Sequence, residues 1–246
     1  MKVKIFDTLE QIGEYAAQLF IEQINEKPDS VLGLATGASP VPTYNALTQA
    51  YKNGKVSFSQ VKTFNLDEYC DLARDDKNSY YTFMHENLFN HIDIKEENVH
   101  FLNGCAPDAQ AECKAYDELI NQTGGIDMQL LGIGNNAHIA FNEPADMFSS
   151  GSYRIKLTDS TVEANKIYFE KGNMPRYALT MGIGMIVRAK SIILIATGPK
   201  KASAVYNMLE NQITPHVPAS ILQRHGNCTV LLDAPAASML TKEYND

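Results

Sequence analysis

The sequence predicts an α/β fold in which a mostly parallel sheet is covered by helices on both faces. Two observations predict it. Short runs that are apolar at nearly every position alternate with longer stretches of helical spacing. No repeat, low-complexity tract or Gly/Ser/Pro linker divides the 246 residues, so one domain spanning residues 1–246 is expected.

The elements follow in order. Leu9–Ile24 places Ile12, Tyr15, Ala16, Leu19, Phe20 and Ile24 on one helical stripe. Val31–Gly37 (VLGLATG) predicts a buried strand running into a turn. Ser39 and Pro40 then suit the N-cap and first residue of a helix over TYNALTQAY. Val61–Leu66 predicts a strand, Tyr80–Phe89 a helix, residues 108–123 a helix and Ile126–Ile133 a strand. Ser191–Thr197 predicts a strand, Lys200–Leu209 a helix and Thr229–Leu232 the last strand.

Composition narrows the function. The formal net charge of −8 argues against nucleic acid or an anionic membrane as partner. A phosphorylated small molecule remains open, because local donors can hold a phosphate on an acidic protein. The apolar run Ile192–Ala196 is far shorter than the roughly 20 residues of a membrane span. The N-terminal stretch lacks the apolar core of a secretory leader. Cys70, Cys105, Cys113 and Cys228 form no CxxC pair and no metal spacing, which suits reduced thiols in a cytoplasmic protein.

In folds of this class ligands bind beyond the carboxyl ends of the strands, and four such ends carry chemistry. Thr36, Gly37, Ala38 and Ser39 in ATGASP let backbone approach a ligand, with a helix N-terminus behind them for an anion. In FNLDEY, Asp67 and Glu68 are adjacent carboxylates just past an apolar strand. Either one could be a general base with a raised pKa, or a cap for the next element. LLGIGNNAHIAFNEP sets Asn136, Ala137, His138 and Glu143 in one loop. His138 can exchange protons near neutral pH, and Glu143 can orient it. His138 and Glu143 are five positions apart, which does not suit a helical metal motif, so no metal is expected. ATGPKK puts Lys201 at a helix start, a second anion site. Anion donors, a carboxylate base and a His/Glu pair are the parts an aldose–ketose isomerisation needs.

Four segments in the same order, FNLDEY, LLGIGNNAHIAFNEP, ALTMGIG (Ala178–Gly184) and ATGPKK, resemble the glucosamine-6-phosphate deaminase (isomerase) family, which includes galactosamine-6-phosphate deaminase/isomerases. The likeness covers residues 1–235. It implies a single-domain, Rossmann-like, NagB-type three-layer sandwich. It also implies conversion of a 2-amino-2-deoxyhexose 6-phosphate to a ketohexose 6-phosphate and ammonia, with no cofactor. By resemblance, Asp67 is the base acting between C1 and C2, His138 opens the pyranose ring, and Glu143 and Asn136 support it. Gly37, Ala38 and Ser39 hold the phosphate together with Lys201. Oligomeric state is left open, since the family includes monomers and hexamers.

The departures bear on specificity. Where relatives read TRxxNxRFF, Thr161–Phe169 reads TVEANKIYF, so Val162 and Ile167 replace two arginines, the second a phosphate ligand. An Arg–phosphate contact is worth roughly 1.5–3 kcal/mol, and Arg154 and Lys166 are the nearby cations. Galactosamine-type members also lack this arginine pair, which inclines the expectation slightly to the galacto substrate. Ser150–Ser152 replaces the SRT segment that allosteric members use. Ala137 stands where relatives mostly have Gly, at a cost of about 1 kcal/mol if the position needs positive φ. Two alternatives are a 6-phosphogluconolactonase-like hydrolase, which needs no C2 base, and a sugar-phosphate sensor without catalysis.

Overall fold

The computed structural model describes residues 1–166, 169 and 174–244. Seven parallel strands form the main sheet in the order β1 (Lys2–Phe6), β10 (Cys228–Asp233), β9 (Ser191–Ala196), β6 (Met128–Leu131), β2 (Val31–Leu34), β3 (Lys62–Asn65), β5 (Val99–His100). Period-2 alternation gives the sheet two apolar faces. In β9, Ile193 and Ile195 join the core beneath α1 (Leu9–Glu26), α2 (Val41–Lys52) and α3 (Tyr80–Asn87). Ile192, Leu194 and Ala196 join the opposite core, under α4 (Ala109–Gln122) and α7 (Ala202–Glu210). The result is the three-layer α/β sandwich that the apolar strands imply. No helix among the described residues is long and apolar enough to cross a membrane.

Sequence bounds and observed bounds differ mainly at element ends. The strand expected over Ile126–Ile133 contracts to Met128–Leu131, and the helix expected over Lys200–Leu209 begins at Ala202 after a 3₁₀ turn, Pro199–Lys201. The proposed cap at Ser39 is corrected. Pro40 occupies the N-cap of α2, no side chain caps it, and the helix starts at Val41.

Two features position the site. From β2 the chain adds β3 and β5 on one side, and from β6 it adds β9 and β10 on the other. The order therefore reverses between β2 and β6, which opens a crevice at their carboxyl ends. Beside it lies a small antiparallel sheet of β4 (Asp67–Tyr69), β8 (Tyr177–Thr180) and β7 (Tyr153–Lys156), with Asp67 opposite Thr180. Leu66 joins the two sheets: its N–H donates to Leu34 O and its carbonyl accepts Met181 N–H at 2.7 Å.

Candidate active site

The anion loop follows β2. Gly37 has φ 97°, open only to residues without a Cβ penalty, and an added Cβ there would meet no atom within 4 Å. The N–H groups of Gly37, Ala38 and Ser39 have no partner among the described residues. The Ser39 hydroxyl has none either, since it is not spent on capping α2. Three free N–H groups and a hydroxyl at the head of a 12-residue helix form a nest for an anion. Lys201 ends the β9 crossover two strands away. It is half-buried and makes no ion pair among the described residues, and burial and neighbouring Lys200 lower its pKa.

The two carboxylates of FNLDEY divide the roles left open by the sequence. Glu68 accepts the N–H groups of Tyr69 at 2.9 Å, Tyr80 at 3.0 Å and Tyr81 at 3.0 Å, and so fastens the start of α3. Asp67 is equally buried, yet accepts no hydrogen bond among the described residues. Burial, reinforced by the Glu68 charge, pushes its carboxyl up to about 8.

The loop after β6 brings Asn136, His138 and Glu143 together. Asn136 Nδ2 donates to Glu143 Oε2 at 2.6 Å, and its Oδ1 accepts His138 N–H at 3.3 Å. His138 Nδ1 lies 3.5 Å from the same Glu143 oxygen. Thr158 donates to Glu143 Oε1 at 3.1 Å, and Thr161 donates to that oxygen as well. Burial alone would raise the Glu143 carboxyl, but His138, Thr161 and Asn136 outweigh it and hold the group down at about 2. Glu143 is therefore a fixed anion facing an imidazole.

The backbone makes room for that ring. A Cβ at Gly134 would sit 2.3 Å from the His138 imidazole, so the ring lies directly on the glycine. Ala137 is buried with φ 64°, the strained conformation that an alanine replacing a glycine would have to take there. The loop is tied to the Asp67 strand through Thr180, whose hydroxyl accepts Phe141 N–H at 3.0 Å while its backbone pairs with Asp67.

The other cations are engaged elsewhere. Arg154 lies 3.8 Å over the Tyr177 ring, and near Cys70 it offsets part of the rise that burial gives the thiol pKa. Lys166 pairs with Glu163. Val162 packs against the cluster of Tyr69, Phe141, Leu157 and Ala178, and Ile167 lies outside the described residues. Ser152 is bound through N–H and hydroxyl to Asp117, which fixes the stretch replacing the SRT segment. Thr158, Thr161, Thr180 and Tyr80 were not singled out from sequence. Thr158 does carry a readable signal, as a capping threonine before DST, but nothing local announces its reach to Glu143.

The α/β fold with a crevice at the strand-order reversal, lined by loops that carry Asp67, His138 and Gly37–Ser39, is that of a sugar-phosphate enzyme class. Residues 6–231 match the family described as glucosamine-6-phosphate isomerases/6-phosphogluconolactonase, and the chain belongs to that family. It is 48% identical over 246 residues to the glucosamine-6-phosphate deaminase of Clostridium botulinum (strain Alaska E43 / Type E3), covering 99% of both chains. It is 51% identical over 226 residues to that of Lysinibacillus sphaericus (strain C3-41), covering 92% of this chain and 95% of the relative. A solved structure described as a monomeric glucosamine-6-phosphate deaminase, a missing link of the NagB superfamily, superposes with a TM-score of 0.95 at 44% identity, covering 98% and 100% of the two chains. A 6-phosphogluconolactonase from Trypanosoma cruzi shares the fold, with a TM-score of 0.78 at 18% identity.

Proposed function

We propose that this chain is an aminosugar-6-phosphate isomerase/deaminase that converts glucosamine 6-phosphate and water to a ketohexose 6-phosphate and ammonia. The observation that carries this is Asp67, a buried carboxylate with no hydrogen-bond donor among the described residues and a pKa pushed up to about 8. Lactone hydrolysis leaves the C2 proton in place; an isomerase needs a base of this kind to remove it.

The phosphate sits on the N–H groups of Gly37, Ala38 and Ser39, with the Lys201 ammonium beside it; Thr36 and Ala137 complete the pocket wall. His138 moves a proton from O1 to O5 and opens the ring, while the Glu143 anion and Asn136 hold the imidazole and support its charge. Asp67 takes the C2 proton of the open aldehyde; the C–H electrons form the C1–C2 double bond, the C1–O1 π electrons pass to O1, and O1 takes a proton from the substrate's ammonium group, which gives the enolamine. The same proton, returned to C1, leaves a C2 iminium. Water adds to that carbon, the C–N bond breaks, and ammonia departs. All these groups belong to one chain, so the site needs no residue from a second copy.

The relatives named above support the gluco epimer. The slight inclination to galacto, drawn from Val162 and Ile167, gains nothing from them. Ammonia release measured on the gluco and galacto 6-phosphates, alongside hydrolysis of a phosphogluconolactone, decides the point. Turnover of glucosamine 6-phosphate is expected. Lactone hydrolysis without ammonia release contradicts the proposal.

A further inference from the structure

One aromatic side chain touches all three parts of the site. Tyr80 is the first residue of α3, and its N–H is held by Glu68, the neighbour of Asp67. Its ring lies stacked on Phe141, at 6.1 Å and 13°, three residues beyond His138. The ring is also 4.8 Å from that of Tyr69, two residues beyond Asp67. It helps line a 260 Å³ cavity with Gly37 and Ala38 of the anion loop. Its hydroxyl donates to the Tyr69 hydroxyl at 3.2 Å, and the Thr36 side chain lies near enough to offset part of the rise that burial gives its pKa. Neighbouring hydroxyls of Thr36, Tyr80 and Tyr69 thus run from the anion loop to the strand that carries Asp67.

We infer that Tyr80 is a positioning residue whose hydroxyl couples phosphate binding at Thr36–Ser39 to the placement of Asp67. The inference rests on the isomerase/deaminase proposal. Among the described residues nothing hydrogen-bonds the Asp67 side chain, so its aim depends on the backbone of β4. Tyr69 is the last residue of that strand, and Tyr80 is its polar link to the loop. Binding energy from a non-reacting phosphate raises the rate only if it reaches the reacting end. The Tyr80 hydroxyl, bonded to Tyr69 and beside the loop's own threonine, provides that connection. Ring packing alone would not need the hydroxyl.

The test is Tyr80→Phe, which keeps the ring and removes the hydroxyl, with Thr36→Val as the second variant. Each is assayed for kcat and KM with glucosamine 6-phosphate, for inhibition by inorganic phosphate, and for thermal midpoint. In Tyr80→Phe, kcat is expected to fall about 10- to 100-fold, the scale of a misplaced reacting group. KM and the phosphate inhibition constant should change less than about threefold. The double variant should lose no more than the worse single, since both break one series. A Tyr80→Phe kcat within twofold of wild type overturns the inference. So do losses that multiply in the double variant, or a fall in kcat that merely tracks weaker phosphate binding and a lower thermal midpoint. Inactive wild-type protein would instead sink the functional proposal, so the two failures are distinguishable.

Discussion

Glu68 holds three backbone N–H groups, and Asp67, the residue before it, holds none. One carboxylate is consumed in fixing a helix; the other is kept dry and basic. The pH dependence of the reaction follows. Asp67 must be ionised to take a proton, so kcat/KM should climb with pH through an apparent pKa near about 8 and level off above it. A pH–rate profile checks this, and a profile already flat from pH 6 would count against Asp67.

The same desolvation sets a stability signature. Asp67 holds its proton in the folded chain up to about 8, against an ordinary value of 3.8, so the folded state binds the proton more tightly than the unfolded one. Stability from this group therefore declines as pH rises between those two values. Asp67→Asn removes the ionisation. Its thermal midpoint should match wild type near pH 4 and exceed it above pH 8, by roughly 2–4 °C for each kcal/mol relieved, while activity falls by about 10²–10⁴. Thermal scans at the two pH values supply the comparison.

Glu143 has the opposite sign. Its folded pKa of about 2 lies below the ordinary 4.5, so its contribution is complete above about 4.5 and disappears as pH falls toward about 2. Glu143→Gln should lower stability at neutral pH and flatten the acid limb of a stability–pH curve. Equal acid limbs in the two proteins would show that the carboxylate is not held by His138, Thr161 and Asn136.

The backbone around His138 yields a pair of opposed outcomes. Gly134→Ala forces a Cβ to within 2.3 Å of the imidazole, so the ring must move. Activity should drop on the order of 10²-fold with a comparatively small change in thermal midpoint. Ala137→Gly relieves a φ of 64° and should stabilise by up to about 1 kcal/mol. Chemical denaturation of both variants, with activity measured in parallel, separates the two effects.

Much of this architecture is legible in the chain, for identifiable reasons. The strands β2, β3, β6, β9 and β10 read as apolar runs because helices cover both faces, and their ends point to the loops that hold Asp67, His138 and Lys201. The edge strand β1 is polar at alternate positions and was not expected. The small sheet was missed because β4 is three residues long and exists only by pairing with β8, a contact more than 100 residues away. That sheet turns Asp67 out of the parallel array. Apart from the family resemblance, which favours Asp67, the residues alone leave the choice between Asp67 and Glu68 open, since it depends on where α3 begins relative to the turn after Tyr69. Val162 and Ile167 pointed to a weakened phosphate grip. Under the functional proposal, the N–H groups of Gly37–Ser39 and Lys201, which have no partner among the described residues, are the donors that offset that loss.

The most direct measurement follows the fate of the C2 hydrogen. Glucosamine 6-phosphate deuterated at C2 is incubated with wild type and with Asp67→Asn, and the label is tracked by NMR. The wild-type protein should clear deuterium from C2, to C1 or to solvent, in step with ammonia release, and Asp67→Asn should leave it in place. Removal of the label by the variant at a rate near that of wild type would contradict the assignment of Asp67 as the base.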